Sequence, residues 1–205
     1  MNRKYAILVD GGFLKKKLKV KNRHFPTAAE IEAEITRIKV NPILSDHSLL
    51  RVYFYDAPPA SGLVKNPISA VEIDLARNGH FSENIALHQA LELQPDVALR
   101  MGETIVHGWE LGHAALKDIE ANGARAVTER DFIPNIEQKG VDLRIGLDIA
   151  RLAIRQLVDT IVVVTGDSDM VPAFKFARRE GLRVYLDHLS HGVKRELKAH
   201  VDLVL

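Results

Sequence analysis

Ile161-Val162-Val163-Val164 is a run of four β-branched apolar residues, followed at once by Thr165-Gly166-Asp167-Ser168-Asp169. A run with no polar alternation reads as a parallel strand buried on both faces, with a loop at its C-terminal end. A sheet that contains such a strand needs helices above and below it. The loop itself carries two carboxylates. Held about 4 Å apart, like charges repel by roughly 4 kcal/mol at an effective dielectric near 20. A cation would turn that repulsion into binding.

The same pattern recurs along the chain. Tyr5 to Val9 is a short apolar strand that ends at Asp10 and is broken by Gly11-Gly12. Arg51 to Tyr55 ends at Asp56 before Pro58-Pro59, and Leu182 to Leu186 ends at Asp187. A last short strand is expected over 201–205. Helical spacing of Ala28, Ile31, Ile35 and Ile38 predicts a helix over 28–39. Further helices are expected over 68–78, over 82–93 with Ser82 as cap, and over 112–121 with Gly123 as stop. Residues 61–67 read as loop. A helix from Asp142 to about Leu157 reads as apolar on most sides, and helices at 170–179 and 193–199 complete the set. Residues 96–137 read as an insertion or edge element, with strands near 97–100 and 104–107 joined by a hairpin turn at Met101-Gly102-Glu103.

Strands alternating with helices predict a single α/β domain over 1–205, with a central, mostly parallel sheet covered on both faces. Ligands of such sheets bind beyond the carboxyl ends of the strands. Asp10, Asp56, Asp167, Asp169 and Asp187 all follow apolar strand runs, so they are expected on one edge. Asp142 opens the long helix, where the dipole favours a carboxylate. Asp148, six residues on, lies about 600° further round and faces elsewhere, which suits a supporting partner or an ion pair with Arg144 or Arg151. Lys139 could reach a phosphate or restrain Asp142. The plainer roles of these acids are turn and helix caps, and a cap can also bind a metal. For Asp56 and Asp187 the plainer role is a rim residue or a loop cap.

The chain has no cysteine, so disulfides and thiolate zinc sites are excluded. Carboxylate oxygens alone suit hard ions such as Mg²⁺ or Mn²⁺. His188 and His191 read as surface histidines. No apolar run reaches membrane-spanning length, and the residues before Asp10 are too few for a signal-peptide core. A cytoplasmic protein with no membrane partner is expected, and self-association stays open. The net charge of +1 gives no global pull on nucleic acid, but Lys15, Lys16, Lys17, Lys19, Lys21 and Arg23 crowd into nine residues close after Asp10. Beside an acidic metal site, such a basic loop suits a polyanionic substrate whose scissile phosphate meets the metal.

Ile7-Leu8-Val9-Asp10-Gly11, Gln138-Lys139-Gly140-Val141-Asp142, Gly146-Leu147-Asp148 and Thr165-Gly166-Asp167-Ser168-Asp169-Met170-Val171-Pro172 together resemble the NYN domain, a PIN-like nuclease family, and its LabA-like (DUF88) branch in particular. Phe176-Ala177-Arg178-Arg179-Glu180-Gly181 also fits. The resemblance implies a three-layer, Rossmann-like PIN fold. It also implies a divalent-metal catalytic site made by Asp10, Asp142, Asp167 and Asp169, acting on RNA. Asp148, Lys139, Thr165, Ser168 and Asp56 are secondary candidates. Many relatives carry Asn three residues after the first Asp, where this chain has Phe13.

The expected function is metal-dependent hydrolysis of RNA phosphodiester bonds. Phe13 supports an alternative, a catalytically weak or inactive NYN module that binds RNA or a protein partner in regulation. A haloacid-dehalogenase-type phosphatase also uses a first-strand Asp, but it wants a second Asp two residues later, where Gly12 stands. No G-x-G-x-x-G follows the first strand, which disfavours a dinucleotide enzyme.

Overall fold

A computed structural model describes residues 3–77 and 79–205. In chain order the first half is β1 (Arg3–Asp10), α1 (Gly11–Asn22), α2 (Ala28–Lys39), β2 (His47–Asp56), β3 (Leu63–Lys65), β4 (Glu72–Asp74), α3 (Gly79–Glu92) and β5 (Val97–Met101). Next come β6 (Glu103–Leu111), α4 (His113–Asn122), β7 (Phe132–Lys139) and α5 (Val141–Ile154). The chain ends with β8 (Thr160–Val164), α6 (Val171–Arg179), β9 (Arg183–Asp187), α7 (Arg195–Ala199) and β10 (Leu203–Val204).

The central sheet has the order β10-β9-β8-β1-β2-β5, and every neighbouring pair is parallel. Alternate residues feed two cores, as a strand buried on both faces requires. Ala6, Leu8, Ile161 and Val163 meet Ile145 and Ile149 of α5, Phe174 of α6 and Leu197 of α7. Ile7, Val9, Val162 and Val164 meet Leu14 of α1, Ile31 and Ile35 of α2 and Leu91 of α3. This is the expected α/β fold with three layers.

From β1 the chain builds outward through β2 to β5, and then returns to place β8 on the other side of β1. The strand order therefore reverses between β1 and β8. A crevice opens at the carboxyl ends of two such strands, and it is the usual ligand position in an open parallel sheet.

Several expected elements differ. The helix expected over 68–78 is not formed across its described part, residues 68–77; Asn78 lies outside the described residues. β4 pairs there with β3, which lies in the stretch expected as loop over 61–67, in a small antiparallel hairpin, and residues 75–77 make a 3-10 turn. Asn66 drives this, because its side-chain oxygen accepts from the N–H groups of Ile68 and Ser69 and closes a turn that competes with helix. Ser82 does not cap α3; it lies inside the helix and its hydroxyl donates to Gly79. Met101-Gly102-Glu103 is not a hairpin turn. β5 joins the central sheet beside β2, whereas β6 pairs with β7 in a separate antiparallel ribbon. Helix α5 buries one face only, since Leu143, Leu147 and Ile154 are 60% or more exposed. The helix forms an outer layer, with sheet on one side only. Among the described residues no helix is long and apolar enough to cross a membrane.

Candidate functional site

Asp10 ends β1 and caps α1, its Oδ1 accepting from the Phe13 N–H at 2.9 Å. Gly11 must follow, because a Cβ there would lie 2.6 Å from the Tyr55 carbonyl oxygen and from the Phe54 ring. Thr165, fully buried after β8, ties the two strand ends together. Its hydroxyl donates to Asp10 Oδ2 at 3.1 Å and accepts from the Asp167 N–H at 3.1 Å. Asp167 caps the 3-10 turn of residues 168–170 through the Asp169 N–H, at 2.9 Å. Ser168 lies within that turn, beside the acids. The β6–β7 ribbon pairs Glu103 with Lys139 and so delivers Gly140 and the first turn of α5, with Asp142, to the same edge.

The charges of these acids interact. Burial pushes the Asp10 carboxyl above its ordinary range, and the charges of Asp142 and Asp167 push it further, against the hydrogen bonds from Phe13 and Thr165. The Asp142 carboxyl is also raised, by partial desolvation first and then by Asp167 and Asp169. Distant parts of the chain thus bring Asp10, Asp142, Asp167 and Asp169 into one field, with no Lys or Arg bridging it. Among the described residues, the Asp142 and Asp169 side chains make no hydrogen bond or ion pair. As positioned, no three His, Asp or Glu side chains among the described residues close on one point tightly enough to ligate an ion. The donor chemistry nevertheless fits a hard divalent cation: carboxylates, a neighbouring hydroxyl and no thiolate.

The other candidates divide differently. Asp56 is not a rim residue or a member of the acidic field. It is fully buried, accepting from Lys15 Nζ at 2.5 Å, His88 Nε2 at 2.8 Å and the Ala57 N–H at 2.9 Å. Burial alone would raise its carboxyl, but the His88 and Lys15 contacts hold it below the ordinary range. Asp187, also buried, pairs with Arg37. Asp148 pairs with neither Arg144 nor Arg151. It accepts from the Tyr55 hydroxyl at 2.9 Å and from Arg100 Nε at 3.1 Å. Lys139 pairs with Glu137 at 3.4 Å and makes no ion pair with Asp142.

The basic stretch is mostly helix α1 and not a loop, and helical spacing scatters its cations. Lys15 points inward to Asp56 and Asn84, so it is no surface contact for RNA. Lys21 meets Glu34, and Lys19 meets His80. Lys16 and Arg23 are exposed, and Lys17 Nζ sits 5.4 Å from the Phe13 ring centroid.

Two features were not singled out from the sequence. His88 completes the Asp56 pair. Gln138 reaches the acidic edge, where its Oε1 lies 3.8 Å from the position of a Cβ at Gly12, close to Asp10 Oδ1. His88 sits in no pattern that would mark it, and Gln138 enters the sequence reading only as the first residue of the Gln138-Lys139-Gly140-Val141-Asp142 motif, with no role of its own. Phe13 packs on the acidic loop, its ring 2.6 Å from where a Gly166 Cβ would stand. Only glycine fits there without displacing the ring.

The NYN domain family model matches residues 108–203. That stretch holds Asp142, Asp167 and Asp169, and Asp10 lies outside it. An uncharacterized protein of Methanocaldococcus jannaschii is 31% identical over 80 residues, which are 39% of this chain and 33% of that protein. The chain therefore spans about a third of the length of the curated relative it matches. A crystal structure of a protein of unknown function from Vibrio parahaemolyticus matches with a TM-score of 0.54 at 14% identity, covering 100% of this chain and 92% of that one. At that identity the likeness shows the fold alone. The family match over residues 108–203 supports the NYN reading of the motifs, and with it a PIN-like, nuclease-type domain.

Proposed function

We propose that this chain is a single-domain, metal-dependent ribonuclease of the LabA-like NYN type, with its active site at the β1/β8 crevice. The observation that carries the reading is the shared field of Asp10, Asp142, Asp167 and Asp169 at the point where the strand order reverses. Asp10, Asp142 and Asp167 would hold Mg²⁺ or Mn²⁺, with Asp169 beside them. Bound there, the ion supplies a polarised phosphoryl oxygen and a water acidic enough to act near neutral pH.

The chain's own residues prepare that site. Thr165 fixes the Asp10 oxygen and the turn of Asp167 together. The Asp142 and Asp169 side chains make no hydrogen bond among the described residues, so rotation about them can bring the carboxylates inward. Gln138 offers a neutral amide close to Asp10, suited to a phosphate oxygen or a water. Lys17 on α1, whose Nζ lies 5.4 Å from the Phe13 ring centroid, would neutralise phosphate charge beside the site.

A second reading keeps RNA binding without cleavage, and Phe13 favours it, since an apolar ring covers Gly166 where many relatives carry Asn. One experiment separates the two. Labelled single-stranded RNA is incubated with wild type and Asp167→Asn, with Mg²⁺ or Mn²⁺ and with chelator. The ribonuclease reading expects cleavage by wild type with metal only, and retained binding without cleavage by Asp167→Asn. Wild type that binds RNA and never cuts it supports the binding module.

A further inference from the structure

A groove of about 720 Å³ lies between α1, α2 and the loop after β9. That volume falls within the range of small-molecule sites, roughly 300–1,000 Å³. Leu18, Leu189 and Leu205 give it apolar surface, and Lys17, Lys21 and His191 give it polar groups. Its two acids are already paired, Asp187 with Arg37 and Glu34 with both Arg37 and Lys21. Lys17 has no carboxylate partner among the described residues. Among the groove's side chains one positive charge, that of Lys17, is therefore left without a carboxylate side chain, beside an apolar surface.

The Phe13 ring links the groove to the acids. Phe13 packs on Gly166, the residue before Asp167, and also meets two groove residues: the His191 ring centroid is 6.4 Å away and tilted by 57°, and Lys17 Nζ is 5.4 Å from the ring centroid. The loop that forms the far side is held in an unusual conformation. Leu189 and Ser190 have φ of 51° and 56°, a region that costs non-glycine residues about 1–3 kcal/mol and is found at ligand clamps. Asp187 holds it there by accepting the Leu189 N–H at 2.9 Å.

We propose that this groove takes one unpaired nucleotide of an RNA strand, next to the phosphate presented to the acidic edge. The base lies against Leu189, Leu205 and the His191 ring, and Lys17 meets the phosphate. An aromatic face and a groove-lining cation are the two elements that single-strand binders combine. A base held in a duplex cannot enter, so the site selects single-stranded over paired RNA. The proposal rests on the ribonuclease reading only for the fate of the adjacent phosphate.

The test uses a short fluorescein-labelled oligouridine, alone and paired with oligoadenylate, and follows anisotropy in chelator. Wild type should prefer the single strand. Lys17→Glu and Val20→Glu, both on the groove side of α1, should each weaken binding by about 10-fold, within the range expected for losing one base contact. Arg179→Glu, at the C-terminal end of α6, should bind as wild type does. A 5-iodouracil-substituted strand should crosslink to the peptide holding Phe13 or the one holding His191. Wild-type affinity in both groove variants, equal affinity for duplex and single strand, no measurable binding, or a crosslink elsewhere would overturn the groove. If groove binding persists but wild type never cleaves with Mn²⁺, the cleavage reading fails and the groove stands. If cleavage occurs and both groove variants behave as wild type, the groove alone fails.

Discussion

Asp10 and Asp56 end neighbouring parallel strands, in β1 and β2, and both lie at the carboxyl edge of the sheet. Their electrostatic states are opposite. Asp56 is matched by Lys15 and His88 and is held below its ordinary range, while Asp10 faces Asp142 and Asp167 and is held above it. Asp187, two strands from Asp10 on the other side, is matched by Arg37. A strand-end carboxylate is therefore no functional signal by itself. What distinguishes the β1/β8 crevice is that its acids are left without a basic side chain while the acids on either side have one. Unmatched charge in a crevice is a cost to folding, and that cost becomes useful only if something else neutralises it.

The contrast can be broken most forcefully at Asp56. Asp56→Ala leaves Lys15 and His88 without their buried partner, and loss of about 3–5 kcal/mol is expected, read as a lower denaturation midpoint in urea. A midpoint equal to wild type would mean that the pair adds nothing. Asp167→Asn should do the reverse: it keeps the fold and lowers metal-dependent RNA cleavage by on the order of 10²–10³-fold, the usual cost of losing one electrostatic stabiliser of a transition state. Cleavage at the wild-type rate would remove Asp167 from the site.

The third test concerns the unmatched charge. Mn²⁺ at ten times its dissociation constant should add about 1.4 kcal/mol, or about 3–6 °C in Tm for a chain of this size, by mass action on the native state. The shift has a pH dependence whose sign follows from Asp10 and Asp142. Their folded pKa values are raised, so the native state holds protons that the unfolded chain releases, and stability falls as pH rises above the ordinary carboxylate value. The penalty is absent below that value and complete above the folded pKa. The Mn²⁺ shift should therefore be larger at neutral pH than near pH 4.5, as scanning calorimetry can check. Asp56 has the opposite sign: its depressed pKa contributes stability that is lost as pH falls through it. The smallest effect is expected for Asp142→Asn in chelator, a gain of only about 0.5 kcal/mol because Asp142 is solvent-exposed and screened. The same change should shrink the Mn²⁺ response.

Much of the central sheet was legible in sequence. Val162-Val163-Val164 and Ile7-Leu8-Val9 admit only buried strands, and the acids after them had to fall on one edge. The hairpin of β3 and β4 is hidden in the sequence because Ile68, Val71, Ile73 and Leu75 also fit one helical surface, although Val71, Ile73 and Leu75 alternate as a strand does. The β6–β7 ribbon was not legible, since it pairs Glu103 with Lys139 across the whole α4 segment and local pattern carries no such partner. The same holds within the site. The acids can be found from the strands that precede them, but sequence does not say which ones a Lys or Arg will reach. Lys15 stands in a basic run that reads as a solvated, phosphate-facing loop, and its partner Asp56 is 41 residues away.

The most direct test is crystallographic. Crystals grown with MnCl₂ and measured at the manganese absorption edge should show an anomalous peak between the carboxylates of Asp10, Asp142 and Asp167, with Asp142 rotated inward. A well-ordered crevice with no manganese, or manganese bound only at other carboxylates, would contradict the account.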